Sequence, residues 1–172
     1  MIYRAEPGTL MMFNADNGIT AVVSGNELYS LKKYLEAGVE NEFIYRLIDL
    51  KLIPEEISEC ERQEILKEIE NTESISAPLR SFAVPESIHI DITTFCPLNC
   101  PQCYKDTSKN IEMPFGKFSD IIDRAKALKV FQIALGGGEP LTVGNLPAFV
   151  KKVVSCKMSC TITTSGCGLT EE

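Results

Sequence analysis

The chain has 172 residues, room for one ordinary domain or two small ones, and 44% of them are apolar, so a core can be buried. Lys and Arg total 17 against 24 Asp and Glu, a net charge of −7, which disfavours a face for polyanions or a basic membrane-surface patch. No cationic stretch leading into a long apolar run opens the sequence, and nothing approaches the ~18 apolar residues of a membrane span, so the seven cysteines are expected in a reducing cytoplasm. Clustered thiols there serve as metal ligands or catalytic groups more often than as disulfides.

In chain order, "TLMMFNADNGITAVVS" (9–24) is two β-prone runs around the tight-turn pair Asn17-Gly18. Ser24 and Glu27 have capping-box spacing. Leu28, Leu31 and Leu35 follow at helical spacing, and Gly38 is the stop. A second helix is predicted over roughly 41–51, with Phe43, Ile44, Leu47 and Ile48 on one face and Pro54 ending it. A third, over about 55–70, carries Ile57, Ile65, Leu66 and Ile69 among many charges. Residues 1–74 therefore read as a small α+β domain. "NTESISAPLRSFAVPES" (71–87) has linker composition, with the linker itself placed at 75–86.

From 87 to 172 the pattern alternates. "SIHIDITT" (87–94) is a β-branched strand, and "FCPLNCPQCY" (95–104) follows it. Phe118, Ile121, Ile122, Ala125 and Leu128 stripe a helix over 116–129. "VFQIAL" (130–135) is a second strand leading into "GGGEP" (136–140), then a helix near 145–155 and a third strand, "CTITTSG" (160–166). A β-α-β-α-β order implies parallel strands joined by right-handed crossovers. Ligands on such sheets sit at the carboxyl ends of the strands. The cysteine loop and "GGGEP" both follow strands directly, so they belong on one rim.

Cys96, Cys100 and Cys103 stand in a C-x3-C-x2-C pattern broken by Pro97 and Pro101. The prolines disfavour a helix, so the thiols can converge. Besides three unrelated buried thiols, two metal readings are open. One is a zinc site completed by His89, Cys156, Cys160 or Cys167, since structural zinc takes four protein ligands. The other is a 4Fe–4S cluster, which ordinarily takes four thiolates; three would leave one iron open to another ligand. Cys60, Cys156, Cys160 and Cys167 read as small apolar residues, and His89, between Ile88 and Ile90, as a structural histidine. Gly136, Gly137 and Gly138 permit positive φ and close approach of a ligand to the backbone, with Glu139 able to accept from an ammonium group and Pro140 fixing the exit.

With these motifs in order, the sequence resembles the radical S-adenosylmethionine (SAM) superfamily, on "DITTFCPLNCPQCY", "ALGGGEPL" and "TITTSG". The resemblance implies an α/β fold: an incomplete (β/α) partial barrel with parallel strands over 87–172, preceded by a small α+β winged-helix-like domain. It implies that Cys96, Cys100 and Cys103 hold a 4Fe–4S cluster whose open iron takes the amino and carboxylate groups of SAM. Gly137, Gly138 and Glu139, with Pro140, would meet the amino group; Gln102 would lie beside the adenine, where an aromatic or histidine is usual. Thr164 falls in a segment near cofactor or substrate, with Ser165 in place of the usual Asn. No protein side chain is assigned a catalytic role. The implied reaction is reductive cleavage of SAM to a 5′-deoxyadenosyl radical.

The front domain resembles the peptide-recognition domain of peptide maturases, in which a precursor's leader adds a strand to a sheet edge. The implied partners are a precursor peptide and an electron donor such as ferredoxin or flavodoxin, with no nucleic acid and no membrane. "NEFIYRLIDLK" balances Glu42 and Asp49 against Arg46 and Lys51, unlike a basic DNA-recognition helix. Alternative functions are a radical SAM enzyme acting on a small molecule or cofactor precursor, and a non-catalytic peptide- or metal-binding protein. Three strands after Ser87 are half of a six-stranded partial barrel. The sequence is thus expected to be an amino-terminal portion, with an exposed parallel edge that favours poor solubility or oligomerisation.

Overall fold

Three strands, β1 (Ile2–Glu6), β2 (Thr9–Phe13) and β3 (Thr20–Ser24), open the chain as an antiparallel sheet in the order β1-β2-β3. The computed structural model describes residues 1–75, 82–106 and 109–169 and divides into two units, Met1–Pro85 and Glu86–Glu172. Residues 76–81, within the linker predicted at 75–86, lie outside the described residues.

The hairpin at Asn17-Gly18 forms as predicted, with Phe13 opposite Thr20, Asn14 N–H bonded to the Ile19 carbonyl and Gly18 at φ 72°. Strand β1 was not foreseen. It pairs with β2 through the turn Pro7-Gly8, where Gly8 takes φ 66°. Four of its five residues are buried, so period-2 alternation is absent. Its two charges bury each other: Arg4 Nε lies 3.0 Å from Glu6 Oε1, each side chain at most 3% exposed. Glu6 Oε2 accepts from the Ala83 amide at 2.6 Å, and Arg4 donates to the Pro85 carbonyl at 3.2 Å. Residues 83–85 thereby belong to the front unit.

The front helices are α1 (Gly25–Ala37), α2 (Glu42–Asp49) and α3 (Glu59–Asn71). Leu31, Leu35, Ile44, Leu47, Ile65 and Ile69 bury their apolar faces against Tyr3, Leu10, Met12 and Val23 of the sheet. The capping box predicted at Ser24 and Glu27 is a correction: Ser24 is the N-cap of α1 but its side chain makes no capping bond. Gly25 enters the helix at φ 52°, which swings the first turn away from the Ser24 hydroxyl. The box is at α3, where the Ser58 hydroxyl accepts from the Glu61 amide and Glu61 Oε2 accepts from the Ser58 amide. Gly38 closes α1 at φ 69° as expected, but α2 stops before Pro54, through Lys51 at φ 54°.

In the rear unit β4 (Ser87–Thr93), α4 (Phe115–Ala127), β5 (Gln132–Gly137), α5 (Leu146–Ser155) and β6 (Ser159–Ile162) alternate, and the strands form a parallel sheet in the order β4-β5-β6. This is the predicted β-α-β-α-β order. Ile90, Ile92, Ile133 and Leu135 are buried together with Phe118, Ile122, Phe149 and Val153 of the helices. Strand β5 runs two residues beyond the predicted 130–135, into the glycines, and β6 ends four residues short of the predicted 166.

Candidate functional site

The site begins with an irregularity in β4. Asp91 pairs with Gly136, but Thr93 pairs with Gly137, a register shift that turns the chain out into the cysteine loop. The next glycine continues the contact: Gly138 N–H donates to the Thr93 carbonyl at 2.8 Å, and Glu139 N–H to the Phe95 carbonyl at 2.7 Å. A Cβ on Gly137, where φ is 133°, would lie 2.1 Å from the Thr93 oxygen, and one on Gly138 2.0 Å from the Phe95 oxygen. The sequence reading assigns these glycines to ligand approach. What comes close in the structure is the backbone that delivers Cys96, so "GGGE" is a plate against which the cysteine loop is mounted.

The loop is tied down elsewhere too. Its return segment pairs with the end of β4, through Thr94 N–H to the Ile111 carbonyl and Met113 N–H to the Ile92 carbonyl, both at 2.8 Å. The Thr94 hydroxyl donates to the Lys109 carbonyl. Lys105 Nζ, two residues past Cys103, reaches Asp91 Oδ1 at 2.6 Å. Within the loop, Cys103 N–H donates to the Cys100 carbonyl at 3.0 Å. Cys96 is half-buried, Cys100 and Cys103 are exposed, and all three are free thiols.

Glu139 is 1% exposed. Its Oε1 accepts from the Leu141 amide at 3.0 Å and the Thr164 hydroxyl at 2.6 Å; its Oε2 accepts from the Ser165 amide at 2.8 Å and the Ser165 hydroxyl at 2.5 Å. Burial alone would raise its pKa, but the hydroxyls of Ser165 and Thr164 and the two amides outweigh it and hold the carboxyl down at about 2. Glu139 and Thr164, both singled out in the sequence, thus touch each other. Pro140 is buried at the start of a short 3-10 turn, Pro140–Thr142. Gln102 is exposed on the cysteine loop.

Sequence reasoning missed Asp91 and Lys105, whose pairing has no local signature because they are 14 residues apart. His89, read as structural, does have a partner, Asp91 Oδ1 at 3.1 Å, but its side chain is half-exposed. It points over β5, where a Cβ on Gly136 would lie 2.2 Å from its Nε2.

Among the described residues no three His, Cys, Asp or Glu side chains gather closely enough to hold one metal ion. The zinc completion by His89, Cys156, Cys160 or Cys167 is therefore not assembled. A single zinc draws its sulfurs to ~2.3 Å from one centre, whereas a 4Fe–4S cluster spreads its thiolates over separate irons. The convergence expected of Cys96, Cys100 and Cys103 is likewise not assembled among the described residues; what the structure does show is three free thiols on one tethered loop, the donor type that an iron–sulfur cluster takes.

The structure thus shows an α/β unit with a three-thiol loop mounted on a glycine–glutamate segment, at the carboxyl rim of a parallel sheet. Residues 90–172 match the family model described as the Radical SAM superfamily. The family implies a 4Fe–4S cluster and SAM. A "PqqA peptide cyclase" of Streptomyces rochei is 34% identical over 91 residues, 51% of this chain and 25% of that protein. Streptococcus suis SuiB bound to its precursor peptide SuiA shares the fold at a TM-score of 0.63 and 18% identity, over 99% of this chain and 42% of that one. SuiB bound to SAM matches with the same TM-score, identity and coverage. The chain thus spans about a quarter of the curated relative's length.

Proposed function

We propose that the chain is part of a radical SAM enzyme that modifies a ribosomally made peptide. The observation that carries this reading is the joining of the two motifs: the backbone of Glu139 is bonded to Phe95, the residue before the first cysteine of the loop. In this reading Cys96, Cys100 and Cys103 hold the cluster, the Gly137–Pro140 segment and Thr164 lie at the SAM side, and Gln102 lies beside the adenine, through its backbone since it cannot stack. Bound together, cluster and SAM supply one-electron cleavage of a sulfonium S–C bond and so hydrogen-atom abstraction from substrate. The chain's own part is to fix the thiols on the rim. In this reading the rear unit, with its three parallel strands, is the first half of a partial barrel.

The peptide class of substrate is supported by the similarity to a PqqA peptide cyclase and to SuiB bound to its precursor peptide. The front unit, a three-stranded sheet with three helices, is read as a winged-helix-like leader-recognition domain. The outward amide of Ala5 on β1 is already taken by Glu68 at 2.8 Å, leaving β3 as the edge for strand addition. An electron donor such as ferredoxin or flavodoxin, a cytoplasmic location and no nucleic-acid or membrane partner complete the proposal. No helix among the described residues is long and apolar enough to cross a membrane.

Anaerobic reconstitution with iron and sulfide tests it. A 4Fe–4S absorption and electron-resonance signature that changes on adding SAM is expected. Alanine at Cys96, Cys100 or Cys103 should abolish it, and alanine at Cys60 should leave it unchanged. Stoichiometric zinc with no cluster signature would end the reading.

A further inference from the structure

We propose that Glu139 is a positioning residue that braces the rim, rather than the group that receives the cofactor's ammonium, and that Thr164 and Ser165 are its partners. A carboxylate offers about four acceptor sites. All four directions have a donor here: Leu141 N–H and Thr164 O–H on one oxygen, Ser165 N–H and O–H on the other. An ammonium group reaching this side chain would have to displace a charge-assisted hydrogen bond within a buried cluster. The main chain of the same residue is equally committed. Its N–H donates to Phe95, and its carbonyl accepts from the Thr142 hydroxyl at 2.7 Å and the Thr142 amide at 3.1 Å.

Glu139 therefore joins three segments: the entry to the cysteine loop, the turn after β5, and the chain leaving β6. Ser165, the position where the resemblance leads one to expect Asn, supplies two of the four donors. Its hydroxyl is short enough to bond the same oxygen as its own amide. Recognition of the ammonium then falls to backbone carbonyls of the Gly137–Gly138 segment. This last consequence rests on the radical SAM reading; the brace does not.

Two measurements decide the matter. The first is a double-mutant cycle on the reconstituted chain, wild type against Glu139→Gln, using SAM and a SAM analogue whose α-amino group is replaced by hydrogen. A brace weakens both ligands by the same factor, to within about twofold. A loss for SAM that disappears with the deaminated analogue would make Glu139 the ammonium ligand and overturn the proposal.

The second measurement needs no nucleotide. Glu139→Gln and the double variant Thr164→Val/Ser165→Ala should each speed backbone hydrogen exchange at Thr163–Gly166 and at Phe95. Unchanged exchange would overturn the brace. Because the carboxyl is held at about 2 against 4.5 when free, its contribution is fully present above pH 4.5 and is lost as pH falls through about 2. The wild type should lose protection over that acid window, and Glu139→Gln should not. Were the wild type to bind neither nucleotide, the radical SAM reading would fall, while hydrogen exchange would still judge the brace.

Discussion

Both units stack helices on a three-stranded sheet, yet they place charge differently. The front unit buries its ion pair, Arg4 and Glu6, within one strand, where it secures the chain's own backbone at Ala83 and Pro85. The rear unit keeps its strand interiors apolar on the helix side and sets Asp91, Lys105 and Glu139 at or near the strand ends, where they moor loops. Antiparallel strands can be joined by tight turns that leave little chain to equip. Parallel strands need long connections, and here one of those connections, between β4 and α4, carries all three clustered cysteines. The same small architecture thus spends its polar residues on closure in one unit and on loop geometry in the other.

Substitutions can break this contrast, and the largest effect should come from the front. Glu6→Ala removes the carboxylate that lies beside buried Arg4 and accepts from the Ala83 amide, and should cost about 3–5 kcal/mol, seen as a lowered denaturation midpoint for the front unit alone. A loss shared equally by the rear unit would remove the distinction. Next comes the rear plate. Gly138→Ala drives a methyl to 2.0 Å from the Phe95 oxygen, and Gly144→Ala, with nothing within 4 Å, is the control. The first should cost about 1–3 kcal/mol and speed alkylation of Cys96, whereas the second should be nearly silent. The smallest test sharpens the front unit itself. Ser58→Ala removes a working capping box at about 1 kcal/mol, and Ser24→Ala, which removes no capping bond, should fall well below it in thermal melts.

The rear unit was the more legible. Its strands alternate with striped helices, and its motifs follow strand ends, so order and rim could both be read directly. The front unit hid β1, because a strand buried on both faces with paired charges has no periodic signature. Helix ends were hidden for a related reason. Lys51, Lys129 and Lys157 take φ of 54°, 57° and 62°, the left-handed turn usually announced by glycine. Lys129 and Lys157 lie just past α4 and α5, and the predicted 116–129 accordingly overran α4 by two residues. In the site, the cysteines and Glu139 were visible as a motif. Their supports, Asp91 with Lys105 and Glu139 with Ser165, were not, since each pair joins residues far apart in the chain.

The hold of β1 on residues 83–85 bears on where the front unit can be cut. A piece ending at residue 74, where composition changes, would strip Glu6 of the Ala83 amide and Arg4 of the Pro85 carbonyl, leaving a charged strand only half covered. The portable module is the longer one, carrying its own fastening as far as Pro85. A gene fusion that grafts this unit onto another enzyme should keep that short tail, or the graft will carry a loosened first strand with it.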